Sequence, residues 1–221
     1  MLRELAKSYN EALFDTDREK ALVIVREAVD KGVSPEDVLF KVIVPGIDFL
    51  GALATHEGNI NLAQHFMAAQ IAELTTQEML AQFKNAAEIK GRVVIGTSQG
   101  DFHGLGKKIV TGCLKAYMIE VTDLGIDVAP EKFVQEALEH DAQVIAISSM
   151  MVHTARGENG CLKVRQILRE RNLETKIKIA VGGAPYRFDH NLYKTVQADG
   201  WAENGLEAAK LITELIKKVQ P

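Results

Sequence analysis

The sequence predicts an α/β protein preceded by a helical portion, and three observations predict it. Hydrophobic residues recur at helical spacing, with no strand signal, as far as about residue 83. From Lys90 onward short apolar runs rich in β-branched residues alternate with helix-period segments. Segments containing glycine or small polar residues follow the first, third and fourth of those runs. The expected architecture is an N-terminal four-helix bundle over residues 1–87 and, over 88–221, a doubly wound five-stranded parallel sheet of the flavodoxin-like, Rossmann-type class.

The elements follow in order. Helical periodicity covers Leu2–Phe14, Asp17–Lys31, Pro35 to about Leu53 and Leu62 to about Phe83. Ser34-Pro35-Glu36-Asp37 is a helix start, with a capping hydroxyl, a proline at the first helical position and acids in the turn that the helix dipole favours. Asp15 or Thr16 is placed to cap the second helix. The strands are Arg92–Gly96, Glu120–Asp123, Val144–Ser148, Lys178–Val181 and Gly200–Ala202. Runs such as VIAIS and IKIAV do not alternate, as expected where crossover helices bury both faces of a sheet. The intervening helices are Leu105–Tyr117, Pro130–His140, Gly160–Arg171, Asn191–Val196 and Gly205–Lys218.

Composition narrows the function. The chain has 221 residues, 47% of them hydrophobic and 25% charged, enough for a packed core in a globular protein. A net charge of −4 supplies no basic field for nucleic acid, and no apolar run approaches the roughly 18 residues of a membrane span. MLRELAKSYNEALFDTD lacks the apolar stretch of a signal peptide, so a cytoplasmic location is expected, with neither nucleic acid nor membrane as partner. Cys113 and Cys161 stand alone within helical segments and read as small apolar residues of a reducing compartment.

In open α/β sheets ligands bind beyond the carboxyl ends of the strands. There the sequence places SQGDFHGLG after the first strand, SMMVHT after the third and GGAP after the fourth. The first lacks both GxGxxG and the GK[ST] ending of a phosphate loop. Asp101 and His103, two apart in an extended segment, project to the same side, so the carboxylate can hold one ring nitrogen and leave the other for a metal. A lone loop histidine is more commonly just solvated or hydrogen-bonded. An ordinary zinc site needs further ligands at close spacing, and none is present. A metal that brings its own equatorial ligands needs only one.

GTSQGDFHGLGKKIV resembles the DxHxxG motif of cobalamin-binding domains of the methionine synthase and corrinoid methyltransferase type, with Asp101, His103 and Gly106 in the motif positions. ISSMM resembles their SxL motif, with Ser148 and with Met150 for leucine; VGGAP supplies the glycine pair Gly182 and Gly183, and ADGWA continues the likeness. The bundle is similar to the cap that precedes this domain in the same proteins. The resemblance implies cobalamin, held as methylcobalamin or as the Co(I) corrinoid, with its dimethylbenzimidazole displaced and His103 as the cobalt ligand. It further implies that Asp101 orients His103, that Ser148 hydrogen-bonds Asp101, and that protonation of the His–Asp pair accompanies ligand release. Phe102, Gly104, Met150, Thr154 and Ala184 join the cofactor-binding set, and the two glycines make room for the tail.

Gly104 stands where many relatives have an acid, Lys108 where they often have Asn, and His153 in a stretch usually rich in Thr. Phe49, Leu50, Leu53, Phe66 and Met67 are placed to line a cap over the upper face of the cofactor, although such spacing more often marks plain core. The cap is expected to hinge at Lys84–Lys90.

By resemblance the chain is a methyl-shuttling subunit of an O-demethylase-like system, without catalytic residues of its own. One partner, a substrate-specific methyltransferase, supplies a methyl from an O-methyl aromatic, methanol or a methylamine. A second methyltransferase passes it to tetrahydrofolate or a thiol, and a reductive activase restores the cofactor. The alternative is a cobalamin-dependent sensor, although light-responsive regulators of this kind carry a DNA-binding domain for which the chain has no basic helix.

Overall fold

The computed structural model describes residues 2–47, 49, 62–83 and 89–219. The chain divides into two compact units, Met1–Glu88 with Lys115–Met118, and Ile89–Leu114 with Ile119–Pro221.

In the first unit, α1 (Leu2–Phe14) and α2 (Arg18–Asp30) pack against each other and against α4 (Leu62–Leu80). The cap of α2 is Asp17, whose side chain accepts from the Lys20 N–H, rather than Asp15 or Thr16. Thr16 is instead committed to the turn between the helices, at φ 55°. The expected start of α3 (Pro35–Val38) is present: the Ser34 hydroxyl accepts from the Asp37 N–H at 3.1 Å. The third helix is not uniformly α, because Leu39–Ile43 widens into a π-helical turn before regular helix resumes at Val44. Hydrophobic spacing cannot foresee a single inserted residue of this kind.

The core of this unit includes Tyr9, Leu13, Val25, Leu39, Ile43 and Met79. The Tyr9 hydroxyl lies 2.6 Å from Thr75 Oγ1, which in turn is 3.0 Å from the Ile71 carbonyl. Tyr9 can therefore donate to a threonine that donates to its own helix, and neither hydroxyl of this pair is stranded. Burial pushes the Tyr9 phenol well above its ordinary range.

The second unit is the expected sheet. β1 (Gly91–Thr97), β2 (Ile119–Asp123), β3 (Val144–Ser148), β4 (Lys178–Gly182) and β5 (Gly200–Ala202) are all parallel, in the order β2-β1-β3-β4-β5. The helices are α5 (Leu105–Ala116), α6 (Pro130–Glu139), α7 (Val152–Arg156), α8 (Cys161–Glu170), α9 (Ala184–Phe188), α10 (Leu192–Thr195) and α11 (Gly205–Val219).

Two glycines of β1 show that both faces are covered. A Cβ on Gly91 would strike Ile216 of α11 at 2.7 Å, and one on Gly96 would strike Phe133 of α6 at 2.9 Å. Residues five apart in a strand face opposite ways, so α11 and α6 lie on opposite faces. Val94, Ile145, Ile147, Ile179 and Val181 pack with α6 and α8 on one side, which explains why these strands read as unbroken apolar runs. Cys113 and Cys161 are buried, and burial pushes both thiols up to about 12, which disfavours the thiolate.

The one-turn helices α7 and α9 do not stand out in the sequence. Five residues are too few for a periodicity signal, and what fixes α7 is a side chain from another segment.

Candidate functional site

Three loops leave the sheet side by side. Thr97 pairs with Ser148 and Ser148 with Gly182, so the ends of β1, β3 and β4 are level. The segments beyond them are joined to one another: the Ser98 N–H donates to the Ser148 carbonyl at 3.1 Å and the Ser149 N–H to the Gly182 carbonyl at 2.9 Å. The Ser98 and Ser149 hydroxyls meet at 2.8 Å. The rim expected at the carboxyl ends of the strands is therefore one connected structure.

Asp101 is its centre and is fully buried. Oδ1 accepts the His103 backbone N–H at 3.0 Å and faces His103 Nδ1 at 2.9 Å. Oδ2 accepts the Met150 N–H at 2.7 Å, the Met151 N–H at 3.3 Å and the Thr154 hydroxyl at 2.8 Å. Burial alone would raise this carboxyl, but the donors from Met150, His103 and Thr154 outweigh it and hold the group at about 2.

The contact with the carboxylate sets the tautomer of the neutral histidine. A carboxylate ionised at neutral pH only accepts, so the hydrogen between it and Nδ1 belongs to the imidazole. Neutral His103 then carries its lone pair on Nε2. The ring is 57% exposed, so Nε2 is a fixed, accessible donor atom of the kind that binds a metal.

Thr154, not Ser148, is the hydroxyl on Asp101. Ser148 is still inside the ladder, between Thr97 and Gly182, and its carbonyl serves Ser98. Thr154 lies in α7, just beyond the Met150 and Met151 amides that already converge on the carboxylate. It is buried, and its Oγ1 is also 2.9 Å from the Met151 carbonyl, so its single proton serves one acceptor at a time. Replacing Thr154 by Val is expected to cost about 1–2 kcal/mol in urea unfolding, while Thr154→Ser stays close to wild type. A loss in Thr154→Ser with none in Thr154→Val would show that the methyl group, not the hydroxyl, matters.

The remaining expected residues divide by surroundings. Phe102, Met150 and the neighbouring Leu105, Ile126, Met151 and Val152 are exposed apolar side chains of this same unit. Gly104 is partly buried, and a Cβ there would meet Ile126 at 3.1 Å. Gly106 has an ordinary φ and a Cβ there would meet nothing within 4 Å. Gly182 would bring a Cβ to 3.3 Å from the Ala202 carbonyl. Gly183, at φ 114°, would drive one to 2.0 Å from the Ser149 carbonyl, so the chain itself demands glycine there before any ligand is considered. Ala184 opens α9 directly after it. Asp199 sits before β5, at the opposite strand end from His103, paired with the buried guanidinium of Arg165 at 2.6 Å.

Lys107, buried beside Gly106, is paired with Asp123. His153 is exposed on α7. Of the upper-face candidates Phe49 and Met67 are exposed and Phe66 is partly buried, whereas Leu50 and Leu53 lie outside the described residues, as do residues 84–88 of the expected hinge. Met151 was not foreseeable, since it contributes a backbone amide that no residue type announces. Among the described residues no three His, Cys, Asp or Glu side chains converge to cage a metal ion.

Two family models, each described as a B12 binding domain, match residues 5–75 and 91–210. The dimethylamine corrinoid protein 3 of Methanosarcina acetivorans is 34% identical over 220 residues, 98% of this chain and 97% of that one. This chain belongs to the B12-binding corrinoid proteins. Its fold is shared with a cobalamin-binding protein from Desulfitobacterium hafniense, at 22% identity and a TM-score of 0.77, covering 96% of this chain and 98% of that one. It is also shared with a chain of the methanol:cobalamin methyltransferase complex MtaBC from Methanosarcina barkeri, at 25% identity and a TM-score of 0.73, covering 97% and 80%.

The cofactor of this corrinoid protein is cobalamin, and the rim fits it. One accessible nitrogen is all that a metal already held by a corrin ring requires. The exposed apolar side chains around His103 suit the ring's hydrocarbon edge, and Gly106 leaves open space that the fold has no need to keep. No helix among the described residues is long and apolar enough to cross a membrane.

Proposed function

We propose that this corrinoid protein carries a methyl group between two methyltransferases, on cobalamin whose lower axial ligand is His103 Nε2. The observation that carries the reading is the Asp101–His103 pair: a buried, ionised carboxylate fixes the Nδ1–H tautomer and leaves Nε2 for cobalt. Bound cobalamin supplies the methyl-accepting and methyl-donating chemistry itself. The chain's own residues bind, orient and tune. His103 offers the nitrogen; Asp101 holds its tautomer and compensates the charge if the ring takes up a proton on release. Thr154 and the Met150 and Met151 amides keep Asp101 in place. Phe102, Met150, Gly104 and Gly106 would hold the ring, and Gly182, Gly183 and Ala184 would make room for the tail.

The relatives support a methylamine or methanol as donor, since one is named for dimethylamine and the complex of another acts with methanol. A methoxylated aromatic is the further candidate. The proposed partners are a donor-specific methyltransferase, a second one acting on tetrahydrofolate or a thiol, and a reductive activase, all in the cytoplasm.

The axial ligand is tested with a chain labelled with 15N at histidine. The electron paramagnetic resonance of the Co(II) holoprotein is expected to show nitrogen coupling that changes on labelling and vanishes in His103→Ala. His103→Ala should remain folded, because the ring is more than half exposed, and should bind cobalamin at least about tenfold more weakly. Coupling unaffected by the label would mean that the cofactor's own base still holds the metal. The donor is tested by mixing reduced holoprotein with purified methyltransferases and each methylamine or methanol and following corrinoid absorbance. No change with any pair would overturn the methyl-carrier reading.

A further inference from the structure

The side chain of Asp101 is held from α7, but its backbone is held from elsewhere. The Thr97 hydroxyl donates to the Asp101 carbonyl at 2.5 Å. The Asp127 N–H, in the loop after β2, lies 3.1 Å from that carbonyl and 2.9 Å from Thr97 Oγ1, shared between the two. Asp127 then returns its own side chain: Oδ1 accepts the N–H of Gly100 at 2.7 Å, on the other side of Asp101. One residue thus grips the histidine loop on both sides of the carboxylate that orients His103.

The grip is built at a conformational cost. Asp127 has φ 54° and Gly100 φ 80°, both in the left-handed region. Aspartate and asparagine tolerate that region better than other side chains, and glycine tolerates it freely. The loop bearing Asp127 is itself anchored to β1. The Thr97 N–H donates to the Gly125 carbonyl at 3.2 Å, the Val128 N–H to the Thr97 carbonyl at 3.1 Å, and the Leu124 N–H to the Ile95 carbonyl at 2.8 Å. Asp127 is exposed and occupies no place in the core, so packing does not account for an acid there.

We infer that Asp127 is a positioning residue for the axial ligand, acting through Gly100 and Asp101 to fix where the His103 imidazole stands. The geometry concerns the cofactor-free chain, and its link to cobalt rests on the proposed His103 ligation. Loss of the Asp127 carboxylate frees the Gly100 amide and lets the loop drift, so Asp101 no longer presents Oδ1 to Nδ1 at one fixed distance. Asparagine keeps both an acceptor oxygen and a tolerance of positive φ, whereas alanine keeps neither.

The experiment compares wild type, Asp127→Asn and Asp127→Ala in two readouts. In the cofactor-free full chain, amide hydrogen exchange at Gly100 and the 15N shifts of the His103 ring report the loop directly. In the Co(II) holoprotein, the fraction of cobalt coupled to histidine nitrogen and the cobalamin affinity report the ligand. Asp127→Ala is expected to raise Gly100 exchange about tenfold, to broaden or shift the His103 nitrogen signals and to weaken cobalamin binding about tenfold. Asp127→Asn is expected to restore all of these to within about threefold of wild type.

The inference is overturned if Asp127→Ala leaves Gly100 exchange and the His103 signals unchanged, or if Asp127→Asn is as impaired as Asp127→Ala. It is also overturned if all amides of the second unit lose protection equally, since the role would then be general stability. Should the wild-type holoprotein show no histidine coupling, the axial-ligand reading fails while the Gly100 and His103 signals of the cofactor-free chain still decide the positioning role.

Discussion

Asp101→Asn is expected to lower the stability of the cofactor-free protein by about 2–4 kcal/mol, despite being isosteric. The two oxygens of Asp101 together receive the His103 N–H and Nδ1–H on one side and the Met150 N–H, Met151 N–H and Thr154 hydroxyl on the other. An amide has one acceptor oxygen. Whichever way it turns, its NH2 group faces donors at hydrogen-bond distance in a buried site. If the NH2 faces His103, the ring must present a bare Nδ1, which moves the hydrogen to Nε2 and removes the lone pair offered to cobalt. Both stability and the histidine-coupled fraction of the holoprotein should therefore fall.

The pH dependence has a definite sign. The Asp101 carboxyl is depressed from its ordinary 3.8 to about 2, so its stabilisation is complete above pH about 4 and is lost as pH falls towards 2. The gap in stability between wild type and Asp101→Asn should narrow over that window, measured by urea unfolding at a series of pH values. A gap independent of pH between 2 and 5 would count against an ionised carboxylate.

Gly183→Ala is expected to be the most damaging single methyl in the second unit, at about 3 kcal/mol or more. Gly183 has φ 114° and ψ 178°, a region that side chains almost never enter, and the new Cβ would lie 2.0 Å from the Ser149 carbonyl. That carbonyl cannot withdraw freely, because the Ser149 N–H is bonded to the Gly182 carbonyl and its hydroxyl to Ser98. Gly106→Ala is the informative contrast. Its Cβ would meet nothing and its φ is ordinary, so thermal unfolding of the cofactor-free chain should be unchanged or slightly improved, since alanine favours helix. Cobalamin uptake should nevertheless fall. If Gly106→Ala bound the cofactor normally, the open space beside it would not be part of the site.

The two glycines also show where sequence reasoning reaches and stops. Both belong to motifs readable in the chain, but the backbone requires glycine at 183 and not at 106, where a Cβ would meet nothing, and only coordinates separate the cases. Strands β1, β3 and β4 were legible because each is a largely buried apolar run bounded by turn residues, whereas β2 and β5 carry a weaker signal, being half-exposed or only three residues long. The π-helical turn at Leu39–Ile43 and the one-turn helices α7 and α9 were not legible, since each is too short to show a periodicity of its own. Asp17 in place of Asp15 or Thr16 is a cap error of the same origin: several residues could accept, and the path of the turn selects one.

The sequence by itself determined the helical and α/β portions, the strand ends that three unusual loops follow, and the Asp101–His103 spacing on one of them, because hydrophobic period and residue type act locally. Only the tertiary structure decided which hydroxyl and which amides meet the carboxylate, and that the Asp127 loop holds its backbone. Those partners come from three separate segments, and the distances between them are set by the packing of the sheet, which no spacing along the chain encodes.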